Sequence, residues 1–178
     1  DFPETNTIPV QIIERIEVIK GPASSTWGSA LGGVVNIITK DTGTTARPKG
    51  TVSGSYGEHA TSDLRLDAAG LAGPVGYYLY AGNQESDGIR NTRFFESETF
   101  YGKLSIPLPS GMELQGSMGS SQPDYKYFYS PEWDDEWLIN DRAFHANLDF
   151  TAPLSKTLTL NLASHYLEDT LADIGQWM

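Results

Sequence analysis

Aromatic side chains and carboxylates crowd one stretch of this chain. Tyr125, Tyr127, Phe128, Tyr129, Trp133 and Trp137 alternate with Asp124, Glu132, Asp134, Asp135 and Glu136. Flat rings at this density stack on, or enclose, a ring-bearing ligand. The acids would suit Ca²⁺ through their carboxylate oxygens, although a solvated loop face needs the same composition and is the reading preferred here. Arg90 and Arg93 form a second group, whose charge would draw in an anionic ligand. His145 and His165 form a third. If Leu148 pairs with Leu162 on neighbouring strands, the two imidazoles face each other on the polar side, where a metal or a haem edge would fit. Two ordinary polar wall residues explain them more simply, so no metal site is assigned. No Gly-x-Ser-x-Gly, His-Glu-x-x-His, P-loop or dinucleotide fingerprint occurs. Ser24 and Ser25 have no base nearby in sequence. The chain is therefore expected to bind rather than to catalyse, and no cofactor is expected.

Composition narrows what positions these groups. Among 178 residues the net charge is −11, which excludes nucleic acid as a partner because phosphates demand clustered Lys and Arg. No cysteine is present, so neither disulfides nor thiolate metal sites contribute. No run approaches the length of an apolar membrane-spanning helix, and no basic-then-apolar leader is seen. The sequence starts at Asp1 without an initiator Met and stops just after an apolar-alternating run, so it is expected to be cut at both ends.

From Lys49 onward, polar and apolar residues alternate in runs of about ten, the length of a tilted strand crossing a hydrocarbon layer. Seven such runs are expected: 49–56, 63–71, 75–84, 99–108, 112–121, 142–152 and 157–167. Leu158, Leu160 and Leu162 alternate with Thr159, Asn161 and Ala163, and Phe144 to Thr151 repeats the pattern. Short connections (72–74, 109–111, 153–156) interleave with long ones (85–98, 122–141). Membrane barrels segregate tight turns to one end in this way, while a soluble sandwich has no reason to. Parity places the hairpin tips at Ser110, with Ile106 opposite Leu114, and at Ser155, with Leu148 opposite Leu162. Tyr56, Phe100, Phe150 and Tyr166 fall near strand ends, where an aromatic girdle would sit. A soluble β-sandwich or lipocalin-like barrel is the competing architecture, since it alternates too.

Upstream, Ile8 to Ile19 reads as a strand, Gly21-Pro22 as its break, Pro22 to Gly28 as one helical turn, and Val34 to Lys40 as a second strand. The run from Glu14 to Lys40 reads Glu-Arg-Ile-Glu-Val, then Gly-Pro-Ala-Ser, then Gly-Gly-Val-Val-Asn-Ile-Ile-Thr-Lys. It closely resembles the C-terminal part of the plug domain of TonB-dependent outer-membrane receptors. The positions that carry the likeness are Arg15, Glu17, Gly21, Pro22, Gly28, Gly32, Gly33 and Asn36. Trp27 stands where that family usually has Tyr, and the spacing before Gly32-Gly33 is about one residue short of some members.

The resemblance implies an all-β fold: a fragment of a 22-stranded antiparallel transmembrane β-barrel with the end of an α+β plug domain. Residues 1–40 would close the plug, 41–48 would link, and 49–178 would supply the first seven or so strands. The implied function is active import of a scarce nutrient such as a ferric siderophore, haem or cobalamin, across the outer membrane of a Gram-negative-type bacterium. The implied partners are the TonB complex of the inner membrane, whose contact region would lie upstream of Asp1, a small-molecule ligand and outer-membrane lipid. Arg15 and Glu17, on one face of a plug strand, could pair with wall charges such as Arg65, Asp67 or Lys103, each link contributing about 0 to 1 kcal/mol, or could equally be ordinary solvated strand charges. The alternative function is a non-transporting adhesin or carbohydrate-binding β module. The ligand-binding candidates are Arg90, Arg93, Tyr125, Tyr127, Tyr129, Trp133 and Trp137.

Overall fold

The computed structural model describes residues 8–21, 32–88, 94–130 and 135–177. It divides into two compact units, Pro9–Asp41 and a larger one that runs on from Thr42.

The smaller unit is an antiparallel strand pair, β1 (Ile13–Lys20) and β2 (Gly33–Thr39), with Ile16 opposite Ile37 and Val18 opposite Val35. The first strand begins at Ile13, not at Ile8. Pro9 leads into a single 3-10 turn, Val10–Ile12, in which the Ile12 amide donates to the Pro9 carbonyl at 3.2 Å. Ile12 is only 1% exposed, and its carbonyl accepts from the Lys40 amide at 2.8 Å, so the turn is tied to the end of β2. Gly33 has φ +129°, and a Cβ there would lie 2.5 Å from the Ile19 carbonyl oxygen. Only glycine fits where β2 enters so close to β1. The expected helical turn from Pro22 to Gly28 lies outside the described residues.

The larger unit is a seven-stranded antiparallel meander in which each strand pairs with the next: β3 (Lys49–Tyr56), β4 (Ser62–Ala72), β5 (Val75–Ser86), β6 (Phe95–Pro107), β7 (Glu113–Ser130), β8 (Asp135–Pro153) and β9 (Thr159–Trp177). Within the described residues the polypeptide is nearly all strand and has no helix long and apolar enough to cross a membrane. Gly73-Pro74 closes the β4–β5 hairpin as a two-residue loop, with Gly73 at φ +62°, the left-handed conformation such turns require. The segment before β3 docks on the strand ends nearby: the Gly43 amide donates to the Tyr77 carbonyl at 3.1 Å and the Leu71 amide to the Thr45 carbonyl at 2.9 Å.

Ile106 is opposite Leu114, as the alternation predicts. The β8–β9 register differs from expectation. Leu148 faces Ser164 and Phe150 faces Leu162, because the chain turns through Leu154 to Leu158 with the Leu154 and Ser155 amides both donating to the Leu158 carbonyl. A two-residue slip leaves every side chain on its own face, so an alternating pattern cannot distinguish the two pairings.

Strand length also departs from expectation. β7, β8 and β9 span 18, 19 and 19 residues, against 8 in β3. The stretch 122–141, expected as a long loop, is mostly the paired upper part of the β7–β8 hairpin. Tyr, Phe, Trp and Ile favour strands, and that preference carries the ladder well past the span a membrane needs.

Candidate functional site

Register and alternation sort the meander into two faces of opposite character. On one face lie Val52, Leu66, Leu79, Phe100, Leu104, Met118, Phe144, Leu148, Leu162 and Tyr166, aligned through pairs such as Leu66↔Ala81↔Phe100↔Ser120↔Phe144. These large apolar side chains are exposed: Leu104 by 46%, Met118 by 52%, Leu148 by 52% and Leu162 by 56%. On the other face lie Asp63, Arg65, Tyr78, Tyr80, Ser97, Tyr101, Lys103, Ser121 and His145, and here Lys103 is 7% exposed and Ser121 is 2% exposed. A water-soluble sheet would bury the first face and expose the second. Leaving one Leu uncovered forfeits about 1.5 to 3 kcal/mol, so the band as a whole fits a hydrocarbon surround and not water.

The band has edges. Following β6, Leu104 and Phe100 lie within it, while Glu98, aligned with Asn83 and Gln122, marks its polar limit on the side of the long connections. The other limit is near Ala152, opposite Leu160. The rows between span roughly 26 Å along a strand, less after tilting, close to the height of an outer-membrane barrel's apolar belt. Phe144 and Tyr166 meet at 6.3 Å between ring centroids in the upper half of the belt.

The polar face carries an aromatic ladder. Tyr78 and Tyr101 have ring centroids 6.1 Å apart, and Tyr101 lies 6.0 Å from the His145 ring. His145 lies over Gly119 on the neighbouring strand, where a Cβ would come within 2.3 Å of its Cε1. Glycine at 119 thus makes the space that the imidazole occupies. Toward the long connections, Arg65 forms an ion pair with Asp63, and the Gln84 amide donates to Asp63 Oδ2 at 3.1 Å. Tyr78, Tyr80, Tyr101, Lys103 and His145 therefore build a wall of rings and polar tips. Sequence reasoning passed over the three tyrosines; Tyr78 and Tyr80 share a parity on β5, but only the register brings Tyr78 and, from β6, Tyr101 into line with His145.

The other candidates are dispersed. His145 is opposite Leu167, and His165 is opposite Asn147, so the expected imidazole pair is not formed; the two-residue register shift separates them. Among the described residues no group of three or more His, Cys, Asp or Glu is placed to hold a metal ion. Arg90, Arg93 and Trp133 lie outside the described residues. Tyr125 is opposite Phe95 on one side and Ile139 on the other, Tyr129 is opposite Glu136, and Trp137 is opposite Phe128. Tyr127 is the extra residue of a bulge between Lys126 and Phe128, a feature that bends and re-aims a strand. The backbone thus gathers five of the six predicted aromatics onto one hairpin. Lys126 adds a cation 5.9 Å above the Phe94 ring at its foot.

In the smaller unit Arg15 Nε donates to Glu17 Oε1 at 2.9 Å, and Asn36 Nδ2 donates to Glu17 Oε2 at 3.4 Å across the strand pair. The carboxylate holds the guanidinium above its already high ordinary pKa. These plug-motif residues link to one another, an arrangement that sequence alone left open. Gly21 has φ +96° where β1 ends, and Gly32 precedes the constrained Gly33; Pro22 and Gly28 lie outside the described residues.

Two comparisons bear on this arrangement. Residues 1–34 match the TonB-dependent Receptor Plug Domain family. Over 119 residues, 62% of this chain, the sequence is 36% identical to the ferric enterobactin receptor of Pseudomonas aeruginosa, of which the match covers 16%. This chain therefore spans only a small part of that relative's length. The plug match, the receptor likeness and an antiparallel sheet with one exposed apolar face make this chain similar to the TonB-dependent receptors.

Proposed function

We propose that the protein containing this chain is an outer-membrane receptor that imports a ferric siderophore by energised rearrangement of its plug, without covalent chemistry. One observation carries the proposal: a plug-type strand pair is followed in the chain by a sheet that exposes large apolar side chains such as Leu104, Met118 and Leu148 on one face and buries Tyr78, Tyr101, Lys103 and Ser121 on the other. Residues 1–40 are read as the end of the plug, 41–48 as its linker and 49–178 as the first part of a wall of about 22 strands. The edges of β3 and β9, which have no neighbour among the described residues, would be closed by further strands. The Tyr78–Tyr101–His145 wall would face the aqueous lumen, and the aromatic β7–β8 hairpin would rise outside the membrane toward the ligand. The likeness to a ferric enterobactin receptor favours a ferric siderophore such as ferric enterobactin over haem or cobalamin. The TonB complex of the inner membrane would supply the energy.

The test is uptake of radioactive iron as ferric enterobactin by cells that lack their own ferric enterobactin receptors and express the full-length gene. Uptake that needs both the gene and an intact TonB complex is expected. Surface expression without uptake of any ferric siderophore, haem or cobalamin would overturn the transport reading in favour of an adhesin.

A further inference from the structure

The chain passes from the smaller unit to the larger between Asp41 and Thr42. Just before that point the Lys40 amide donates to the Ile12 carbonyl at 2.8 Å, which fixes the end of β2 to the buried 3-10 turn of its own unit. Just after it the chain is fixed again. The Gly43 amide donates to the Tyr77 carbonyl on β5 at 3.1 Å, and the Leu71 amide on β4 donates to the Thr45 carbonyl at 2.9 Å. The Thr45 hydroxyl then donates to the Arg47 carbonyl at 2.9 Å, turning the chain toward β3.

Residues 42–45 are a strap let into the foot of the β4–β5 hairpin. Pairing of β3 with β4 starts at Lys49↔Ala69, so beyond Ala69 the strap takes the place beside β4 that β3 does not reach. Two glycines make room for it. A Cβ on Gly43 would run into the Gly70 amide nitrogen and Cα, an obstacle of backbone that cannot swing aside. A Cβ on Gly76 would lie 2.6 Å from Thr42 Oγ1 and 3.1 Å from Thr42 Cβ. Neither glycine has a positive φ, so close approach of the strap, and not a turn, is what requires them.

We propose that this strap is a fixed tether for the plug. When the plug rearranges, the chain pivots at Asp41 and Thr42 while residues 43–45 stay on the wall. Lys40 and Gly43 are three residues apart, so at full stretch the end of β2 stays within about 10 Å of the hairpin foot. The tether thus limits how far the C-terminal end of the plug travels under load. The inference rests on the transport reading, which supplies the load, but the strap itself is testable without it.

The experiment has two arms. In the first, amide hydrogen exchange of the full-length receptor in lipid vesicles should be about tenfold slower at Gly43 and Leu71 than at Thr42. Gly76→Val should abolish that difference. Gly102→Val, whose Cβ meets side chains at 3.6 Å and beyond, should keep it. In the second arm, cells expressing the receptor are exposed to vancomycin, a glycopeptide too large for general porins. Wild type should exclude it, and Gly76→Val should admit it when the TonB complex is active and exclude it when that complex is deleted. If Gly76→Val does not assemble, inserting Gly-Ser-Gly-Ser between Asp41 and Thr42 lengthens the joint, leaves the contacts of the strap in place and carries the same expectation. Equal exchange at Gly43, Leu71 and Thr42 in wild type would overturn the strap. Vancomycin excluded by the lengthened joint with TonB active, or admitted without TonB, would overturn the tether. A wild type that takes up no ferric enterobactin would instead overturn the transport reading, and the exchange arm would still judge the strap.

Discussion

Replacing Leu104 by Arg tests which solvent the exposed face meets. Leu104 lies at mid-height of the belt, between Tyr77 on one neighbouring strand and Gly116 on the other, and is 46% exposed. If that exposure were to water, Arg would be a surface substitution with an effect within about 0.5 kcal/mol. If it is to hydrocarbon, the charge must be dragged toward an interface, at a cost of about 2 to 4 kcal/mol at mid-belt. Leu64, aligned with Asn83 and hence with Glu98 at the polar limit, is the control: Arg there should cost about 0 to 1 kcal/mol. At about 1.4 kcal/mol per tenfold, the difference between the sites corresponds to roughly one to three decades in the unfolding equilibrium. Urea unfolding of the full receptor in lipid vesicles, followed by tryptophan fluorescence, measures both. Equal costs at positions 64 and 104, both below about 0.5 kcal/mol, would show that the face is wet and that the soluble β-sandwich is the right architecture.

Gly33→Ala should loosen the plug strand pair by about 1 to 3 kcal/mol, because φ +129° is denied to Ala and its Cβ would meet the Ile19 carbonyl. Faster amide exchange confined to β1 and β2 in the full receptor is the expected readout, and unchanged protection there would refute it. Gly119→Ala should push the His145 ring off Tyr101, costing about 0.5 to 1.5 kcal/mol, and His145→Ala should cancel most of that cost. Strict additivity of the two changes in an unfolding cycle, within about 0.5 kcal/mol, would mean that the ring does not depend on the glycine. His145→Ala combined with His165→Ala should leave metal content and ligand uptake unchanged, since the imidazoles occupy different rows; loss of a bound metal in the double variant would restore the pair.

The count of seven strands from Lys49 onward and the faces of 144–151 and 158–163 were legible in the sequence because alternation has a period of two and a one-sided environment enforces it. The Ile106↔Leu114 register was legible for a further reason: a five-residue connection through Pro109 and Gly111 leaves little choice of tip. At β8–β9 the same parity admits pairings two residues apart, and backbone hydrogen bonds around Leu158, invisible in the pattern, decide between them. The histidine conjecture failed with that slip. The Tyr78–Tyr101–His145 wall was hidden for a related reason, since it depends on the registers of four strands at once. By contrast Gly33 announced itself as half of a Gly-Gly pair at a strand entry, and its φ accounts for it.

The lengthening of the strands bears most directly on ligand capture. A tilted strand crosses the hydrocarbon with about 9 to 11 residues, which β4 at 11 and β5 at 12 nearly match. β7 and β8, at 18 and 19, exceed it by most of a second span. The excess lies on the side of the long connections, beyond Gln122, where it does nothing for anchoring. It contains Tyr125, Tyr127, Tyr129 and Trp137. Residues on a paired hairpin lose less backbone freedom on meeting a ligand than residues on an irregular loop, because the ladder has already fixed the backbone. The bulge at Tyr127 offsets the ladder where that fixed surface would otherwise be flat. On the proposed reading, an aromatic segment first read as a loop would meet ligand from a paired backbone, and the strand length beyond what a membrane crossing needs would serve capture.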